Sequence, residues 1–461
     1  VLDYLLMTVS VFGLSIPVFW SGIMLAYYVG TVLQILPNMY YYPISQVGLW
    51  QAIQYVILPS VALGFQSVAS IARYTRSTML DTLGEDYIRT ARAKGLAERV
   101  VLYQHALKNA MSPVITHIGT NMASLMGGAC VIETVFGING MGKLAYDSLI
   151  RRDYTQVQAI ILVVALVYIV INLVVDILYK VFDPRVELSL GGCTVVHRMK
   201  PSVFLRKYGR ILLGGGVLAL ILLATLAAPL ITPYQPTAVS PAEGMQFPSA
   251  VHWMGTDRFG RDIFSWVLYG ARISLLVGVA VAAVSTAAGI VLGLLMGYYR
   301  AVDRIVMRIL EGLSAFPDML LALTLACIFG NGVDKVILAL SIVGTPSVAR
   351  IVRSQVLSIK ESEHVESARA MGATDLRIMF RYILPLCVSP LIIRFTTTMA
   401  SAILTEASLS FLGVGVDPTM PTWGAILSTA KDFVITHPYM AIYPGLAIVI
   451  TVLSISILGD G

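Results

Sequence analysis

Charged and polar residues of this chain are concentrated in short segments between long apolar runs, and two of these segments repeat each other. The first polar loop, residues 89–113, begins RTARAKG, and the second polar loop, residues 366–390, begins ESARAMG. Gly95 and Gly372 are 277 residues apart, and a Ser-Pro dipeptide ends each loop at the same offset. A repeat of this length indicates a chain with two related halves, each built around one charged loop.

The chemistry that these loops can perform is docking on another surface. Gly372 permits a sharp bend between two short helices, and Asp375 is placed to cap the second one. The apolar positions of that helix are spaced i, i+3, i+4 and i+7, which forms one stripe. They are Leu376, Met379, Phe380 and Ile383, and the first half repeats the stripe with Leu102, Tyr103, Ala106 and Leu107. Such a hairpin either lies on a membrane surface or enters a groove on a soluble partner, and two copies favour a partner with two equivalent sites.

Residue patterns for catalysis or nucleotide binding are absent from the sequence. There is no Gly-x-x-x-x-Gly-Lys-Ser/Thr phosphate loop, no Gly-x-Ser-x-Gly and no His-Glu-x-x-His. The four cysteines are far apart and the six histidines form no His-x-x-x-His pair, so we predict neither a metal site nor a disulfide framework. We therefore expect no catalytic residues, no metal and no cofactor bound by this chain.

The composition predicts a membrane protein. Hydrophobic residues make up 57% and charged residues 13% of the chain, against about 25% charged residues in ordinary soluble domains. Several runs approach the roughly 20 apolar residues that cross a bilayer. The predicted fold class is an all-α, polytopic helical bundle with about ten transmembrane helices. The candidate spans are residues 5–36, 53–71, 114–132 and 157–181 in the first half, and 211–231, 273–299, 305–329, 336–351, 390–411 and 441–458 in the second.

Lysine and arginine are clustered on one side of these spans. The clusters lie within residues 73–108, 180–210, 300–308 and 350–381, and by the positive-inside rule they face the cytoplasm. Both polar loops are then cytoplasmic, and residues 232–265 form an external segment. The basic residues occupy short loops without an aromatic platform, so we expect no nucleic-acid partner.

The two halves differ in what precedes the repeat. Pro17 matches Pro317 at an offset of 300 residues, and by this alignment the first half lacks two spans and an external segment that the second half carries. The chain opens beside an apolar span without a charged segment before it, and we expect both ends to be truncated. A polar, glycine-containing stretch separates the halves, and we place one domain over residues 1–192 and the other over residues 193–461.

The second half combines the second polar loop with four further motifs. These are residues 252–262 (HWMGTDRFGRD), 297–303 (GYYRAVD), 315–317 (AFP) and 405–413 (TEASLSFLG). Together they resemble the C-type permease of the dipeptide/oligopeptide/nickel family of ABC importers, over residues 207–461. Within that resemblance the second polar loop is similar to the EAA loop, the coupling helix that seats on the ATP-binding subunit.

The first half resembles the B-type permease of the same family. The motifs are residues 86–95 (DYIRTARAKG), 133–136 (ETVF) and 172–176 (NLVVD). Arg89 stands where the second half has Glu366, and Lys108 where it has Pro385, and such departures resemble B-type members. The coupling residues that the resemblance implies are Arg89, Ala91, Gly95, Leu102 and Tyr103 in the first half and Glu366, Ala368, Gly372, Leu376, Met379, Phe380 and Pro385 in the second.

The resemblance also implies partners and a mechanism. An extracytoplasmic substrate-binding protein delivers the substrate, and two ABC ATPase subunits, which hold ATP and Mg²⁺, close on each other. Their motion passes through the coupling loops and switches the permease between inward- and outward-facing states. The chain itself is then not an enzyme. It lies in the lipid of the cytoplasmic (inner) membrane of a prokaryote as a multi-pass protein.

Glu133 and Glu406 lie near the outer ends of predicted spans. At about 1.5 Å per residue both reach the far side of a hydrocarbon core about 30 Å thick. They either cap nearby backbone donors or act in a gate, and the candidate outer-gate residues are Glu133, Phe136, Glu406, Phe411 and Gly413. In the external segment the charged residues Asp257, Arg261 and Asp262 either pair with each other or contact the binding protein.

These motifs do not specify the substrate, because peptides, nickel, metal chelates, opines and glutathione all pass through relatives that carry them. We expect di- or oligopeptides, with the other substrates as alternatives. A secondary transporter with inverted repeats is a remote alternative, but the two halves share the order of their landmarks and the sidedness of their charges, so they are parallel. A membrane-embedded hydrolase lacks its motifs in this sequence.

Overall fold

The computed structural model describes residues 2–38, 41–182, 202–417 and 419–460. Helices joined by loops and turns make up this described part, which agrees with the predicted all-α class. The predicted domain boundary at residues 192–193 lies outside the described residues.

The helices have the following bounds. The α-helices are α1 (Leu2–Ser15), α2 (Val18–Leu25), α3 (Ile44–Val47), α4 (Leu49–Leu83), α5 (Asp86–Ala93), α6 (Glu98–Val100), α7 (Leu107–Phe136), α8 (Met141–Ile150), α9 (Tyr154–Phe182), α10 (Ser202–Leu226), α11 (Ala228–Ile231), α12 (Ile263–Tyr298), α13 (Arg300–Ser314), α14 (Asp318–Phe329), α15 (Val333–Ile359), α16 (Glu363–Ala370), α17 (Asp375–Arg377), α18 (Val388–Phe411), α19 (Trp423–Ala430) and α20 (Tyr439–Asp460). π-Helical segments cover Ala26–Val32, Val101–Ala106 and Ile378–Ile383, and 3₁₀ segments cover Pro241–Glu243 and Leu384–Cys387.

Five single helices in the described part of the chain are long and apolar enough to cross a membrane. They are Leu49–Leu83, Ile263–Tyr298, Val333–Ile359, the continuous helix Asp375–Phe411, and Tyr439–Gly459. Each covers one of the predicted spans, except that the span over residues 273–299 extends one residue beyond its helix. Shorter apolar helices cover Thr155–Ile171 and Leu212–Leu226, where two further spans are predicted, and α7 is a 30-residue helix over the predicted span at residues 114–132.

Proline breaks the two remaining predicted spans. Arg300–Ser314 meets Asp318–Phe329 at an angle of 92°, with Pro317 at the break, so the predicted span over residues 305–329 consists of two helices joined by a bend. Pro17 lies at the corresponding break between α1 and α2. Proline has no N–H to give to the helix and its ring clashes with the preceding turn, which explains both breaks.

The chain forms two compact units. Among the described residues, unit 1 holds 2–18, 36–182 and 315–317, and unit 2 holds 19–35, 202–314 and 318–460. Residues 19–35 pack within unit 2 through aromatic side chains. Phe19 stacks on Phe411 with ring centroids 4.7 Å apart, and Trp20 Nε1 donates to the carbonyl of Ala441 at 2.9 Å.

Glycines at every fourth position of α12 face valines at every fourth position of α15. The pairs are Gly289 with Val348, Gly293 with Val352, and Gly297 with Val356. A Cβ atom on Gly293 or Gly297 would lie 2.5 Å from the facing valine, so the two backbones approach closely, as small residues at this spacing allow in membrane helix pairs. This packing positions the second polar loop, because α15 leads directly into it.

Candidate functional site

The second polar loop forms a short helical hairpin. Helix α16 (Glu363–Ala370) precedes Gly372, and α17 (Asp375–Arg377) follows it and continues as the π-helical turn Ile378–Ile383. Gly372 has a φ of +80°, a left-handed conformation that glycine adopts readily because it has no Cβ. Open space surrounds the position where a Cβ would lie, so the bend depends on backbone conformation and not on close packing.

One face of this hairpin is buried. Val365 and Ala368 of α16 are fully buried, as are Ile378 and Ile383 of the π-helical turn. Val365, Ile378 and Ile383 belong to one apolar cluster with Val356 of α15, which holds the loop against the transmembrane helices. The side chain of Ala368 is buried, and its coupling role stays a prediction.

The exposed face of the same hairpin carries three large apolar side chains. Met371 is 77% exposed, Leu376 is 64% exposed and Phe380 is 54% exposed. Met379, which the helical spacing predicts on the same stripe, is only 2% exposed. That prediction is wrong because the turn is π-helical, with a wider repeat than the α-helix from which the stripe is derived.

The first polar loop has the same construction. Helix α5 (Asp86–Ala93) precedes Gly95, whose φ is +75°, and α6 continues as the π-helical turn Val101–Ala106. The buried positions repeat at the offset of 277 residues, so that Ile88, Ala91, Val101, Ala106 and Ala110 correspond to Val365, Ala368, Ile378, Ile383 and Cys387. Two loops of different sequence therefore bury the same positions.

The exposed positions of the two loops also correspond. Tyr103 is 68% exposed and occupies the place of Phe380, whereas Leu102 is half-buried. Pro385 and Lys108 are exposed at equivalent positions near the ends of the loops. Each loop thus presents one aromatic side chain at the same point of its hairpin.

Charged side chains in the first loop pair with each other. Arg92 donates two hydrogen bonds to Glu98, at 2.8 and 3.3 Å, and these bonds hold the pKa of Glu98 below its usual range. Arg89 contacts Asp86 at 3.1 Å on the exposed surface. Glu366, which occupies the position of Arg89 in the second loop, is exposed.

A carboxylate connects the second loop to α12. Asp375 accepts hydrogen bonds from the phenol groups of Tyr298 at 2.6 Å and Tyr299 at 3.1 Å. Lys360 donates to the carbonyl of Gly297 at 3.1 Å, which adds a second connection to the same helix end. The predicted capping role of Asp375 is wrong, since Thr374 occupies the N-cap of α17.

Glu133 lies in the last turn of α7 and binds the start of α8. Its carboxylate accepts the backbone N–H of Lys143 at 2.7 Å. A Cβ at Gly140 would lie 2.1 Å from Glu133 Oε1, so glycine leaves the room that the carboxylate occupies. The first turn of a helix has no internal partners for its N–H groups, and this geometry fits the capping alternative.

Glu406 has a different environment. It is fully buried on α18 and accepts hydrogen bonds from the hydroxyl groups of Ser274 on α12 at 3.1 Å and Ser410 at 2.8 Å. At the offset of 277 residues, Glu133 corresponds to Ser410. Both acids lie near the ends of their helices, but they do not occupy equivalent positions, because Glu406 lies farther from the end of its helix than Glu133 does.

The aromatic residues predicted at the outer gate are buried. Phe136 is 3% exposed and Phe411 is 1% exposed. Gly413 is exposed and follows α18 with a φ of +80°. Both phenylalanines pack inside a helix bundle in this structure, and the gating role of these residues stays a prediction.

In the external segment Asp257 pairs with Arg261. Arg261 Nε lies 2.6 Å from Asp257 Oδ2, and the guanidinium stacks over Trp266 at 3.7 Å from the ring centroid. Asp262 does not join this pair. It accepts the backbone N–H of Ser265 at 2.8 Å as the N-cap of α12, and it bonds His252 Nδ1 at 3.0 Å. The geometry fits pairing for the first two residues and a helix-capping role for the third.

No motif points to three charged residues that lie inside predicted spans. Asp318 of α14, Arg350 of α15 and Arg394 of α18 line one cavity of about 170 Å³ in unit 2. Their positions in the sequence could have identified them as candidate functional residues, because an ionisable residue within a membrane span is a candidate for function by default.

Apolar helices long enough to span a membrane, two repeated hairpins and a polar cavity among the spans fit an integral membrane transport protein. The family model described as "Binding-protein-dependent transport system inner membrane component" matches residues 1–188 and 289–461. The chain belongs to this family of ABC-transporter permeases. It is a multi-pass component of the cytoplasmic membrane of a prokaryote and works with a substrate-binding protein.

Similar proteins are permeases. The glutathione transport system permease protein GsiD of Pectobacterium atrosepticum is 45% identical over 260 residues, which cover 56% of this chain and 86% of the relative. The dipeptide transport system permease protein DppC of Alkalihalophilus pseudofirmus is 39% identical over 258 residues, or 56% and 85% of the two chains. GsiD of Escherichia coli is 44% identical over 215 residues, or 46% and 71%. The predicted resemblance to permeases of this family is confirmed.

Proposed function

We propose that the chain forms the pathway by which di- and oligopeptides enter the cytoplasm, and that two ATPase subunits drive it from the two polar loops. The observation that carries this proposal is the repeated hairpin. Both loops have a left-handed glycine, the same buried positions and one exposed aromatic side chain. Two equivalent hairpins fit a partner with two equivalent grooves, and ATP and Mg²⁺ belong to that partner.

The exposed and buried faces of the second loop suit the transmission of motion. Phe380 and Leu376 offer apolar surface for a groove, and burying one such side chain contributes about 1.5–3 kcal/mol. The opposite face is packed on α15 and bonded to α12 through Asp375. A displacement of the docked hairpin therefore moves two membrane-spanning helices with it.

The peptide substrate is supported by the names of the relatives. A dipeptide permease and two glutathione permeases are similar in sequence to this chain over most of their own length. Dipeptides and glutathione are both short peptides with free carboxylates. Glutathione is a second candidate because of the 45% identity to one such permease. Nickel and metal chelates stay alternatives on the family resemblance alone.

The docking proposal is tested by charge substitutions at the exposed aromatic positions. Phe380→Arg and Tyr103→Arg are expected to reduce co-purification of the ATPase subunits and to lower ATP-driven uptake by 10-fold or more, since about 1.4 kcal/mol corresponds to a factor of ten. Val251→Arg, at a 64% exposed apolar position of the external segment, is the matched control for ATPase binding. Full co-purification and full uptake in the double variant Phe380→Arg, Tyr103→Arg would refute the docking.

The substrate is tested with the same vesicles and the cognate binding protein. Labelled dipeptide and labelled glutathione are offered separately, and uptake that depends on ATP is measured. Uptake of glutathione without dipeptide would select the second candidate. Uptake of neither, in vesicles whose ATPase is active, would refute a peptide substrate.

A further inference from the structure

Two arginine side chains in the cavity of unit 2 are held only by hydroxyl groups. Arg350 Nη1 donates to Ser314 at 2.8 Å, and Arg394 Nη2 donates to Ser347 at 2.5 Å. Each guanidinium has five N–H donors, so these two bonds leave most of the hydrogen-bond donors of both arginines available. The cavity lies between α12, α14, α15 and α18, and the two cations therefore face the interior of the helix bundle.

Neither arginine forms a close ion pair among the described residues, although Asp318 of the same cavity attracts both from a longer distance. No carboxylate oxygen lies within the 4.0 Å ion-pair distance of Arg350 or Arg394. Arg394 Nε and Thr398 Oγ1 are buried without any hydrogen-bond partner. Arg353, three residues further along α15, shows the contrast because it is paired with Asp303, with Nη2 2.7 Å from Oδ2. A buried donor without a partner destabilises the folded protein, and an anionic ligand would supply the missing acceptor.

Asp318 provides the opposite charge at the same cavity. It is the first residue of α14 and lines the cavity, so its carboxylate can accept hydrogen bonds from a molecule bound there. The cavity thus combines two cationic groups with one anionic group. This set matches a ligand that carries one carboxylate close to N–H donors.

The corresponding cavity of unit 1 has a different lining, in which Arg73, at the position of Arg350, takes no part. It has a volume of about 250 Å³, and Ser70 and Asn121 line it at the positions of Ser347 and Thr398. Val18 lines it where unit 2 has Asp318 at the offset of 300. His117 stands at the position of Arg394 and bonds Ser70 at 3.0 Å. The fold forms the cavity in both halves, and Asp318, Arg350 and Arg394 together line the cavity of unit 2.

We propose that the cavity of unit 2 binds the carboxyl-terminal end of a peptide in transit. Arg350 and Arg394 hold its carboxylate, and Asp318 accepts hydrogen bonds from its N–H groups. Arginine suits this task because its planar fork matches a carboxylate. A volume of about 170 Å³ is below the roughly 300–1,000 Å³ of pockets that enclose a whole ligand, so the cavity holds an end group. This inference rests on the proposed peptide substrate.

The experiment measures binding to the complete transporter in nanodiscs of phosphatidylcholine, without the binding protein. Radiolabelled trialanine is the probe, and unlabelled trialanine competes against trialanine amide, which lacks the carboxylate. The wild type is expected to bind the acid at least about 10-fold more tightly than the amide, because hydrogen bonds to a charged group are stronger than those to a neutral one. Arg394→Gln and Arg350→Gln are expected to remove this preference. Lys335→Gln, which removes a positive charge from α15 outside the cavity, is the control.

Each outcome decides the proposal. Equal affinity for acid and amide in the wild type, no saturable binding, or an unchanged preference in Arg394→Gln and Arg350→Gln would overturn it. A lipid phosphate in the cavity is detected by native mass spectrometry in nanodiscs with anionic lipid. A lipid retained by the wild type and lost in Arg394→Gln, without peptide binding, would also overturn it. ATP-driven peptide uptake with no acid preference would refute this site and leave the proposed function standing.

Discussion

Replacement of Gly372 tests whether coupling depends on the left-handed bend in the second polar loop. The residue has a φ of +80° and open space around its Cβ position, so a side chain there meets no clash and its cost is conformational. The left-handed region costs an ordinary residue about 1–2 kcal/mol, which lowers the population of the correct bend about 5- to 30-fold. Valine costs more because it is β-branched, and asparagine costs less because it adopts this region more readily.

The assay is ATP-driven peptide uptake together with ATP hydrolysis in proteoliposomes that contain the complete transporter. We expect the peptide transported per ATP to fall in the order wild type, Gly372→Asn, Gly372→Ala, Gly372→Val. Gly312→Ala is the matched control, because Gly312 of α13 also has open space around its Cβ position but is not in the left-handed region. Uptake at the wild-type rate in Gly372→Val, or asparagine no better than valine, would refute the reasoning.

Three further predictions concern orientation, packing and the buried acid. Met371→Cys should react only with reagents that reach the cytoplasm and Val251→Cys only with external reagents, and opposite labelling would reverse the orientation. Gly293→Ala should lower the stability of the solubilised protein by about 1–3 kcal/mol, measured by thermal unfolding, because its new methyl group would overpack the contact with α15; an unchanged midpoint contradicts the close packing. Glu406→Gln should retain most peptide uptake, since an amide still bonds two serine hydroxyl groups, whereas Glu406→Ala leaves both without this partner; equal loss in the two variants would count against hydrogen bonding as the role of this side chain.

The amino-acid sequence by itself determined the class of the protein and the location of its two polar loops. Long uncharged runs require helices in a bilayer, because every backbone polar group must be satisfied within the segment. The left-handed bends at Gly95 and Gly372 were likewise readable, because a local backbone requirement selects the residue type at that position. Pro17 and Pro317 marked equivalent places in the two halves for the same reason, although the break at Pro317 was not expected.

Only the tertiary structure decided which side chains face outward and which distant residues meet. Met379 is buried although the neighbouring Phe380 is exposed. The turn that contains both residues is π-helical, and a pattern based on the α-helical repeat does not predict which of its side chains are buried. Glu406 binds Ser274, 132 residues earlier in the chain, and Arg350 and Arg394 reach one cavity from separate helices. The physical reason is that periodicity reports the face of a single helix, whereas contacts between helices depend on how closely their backbones approach.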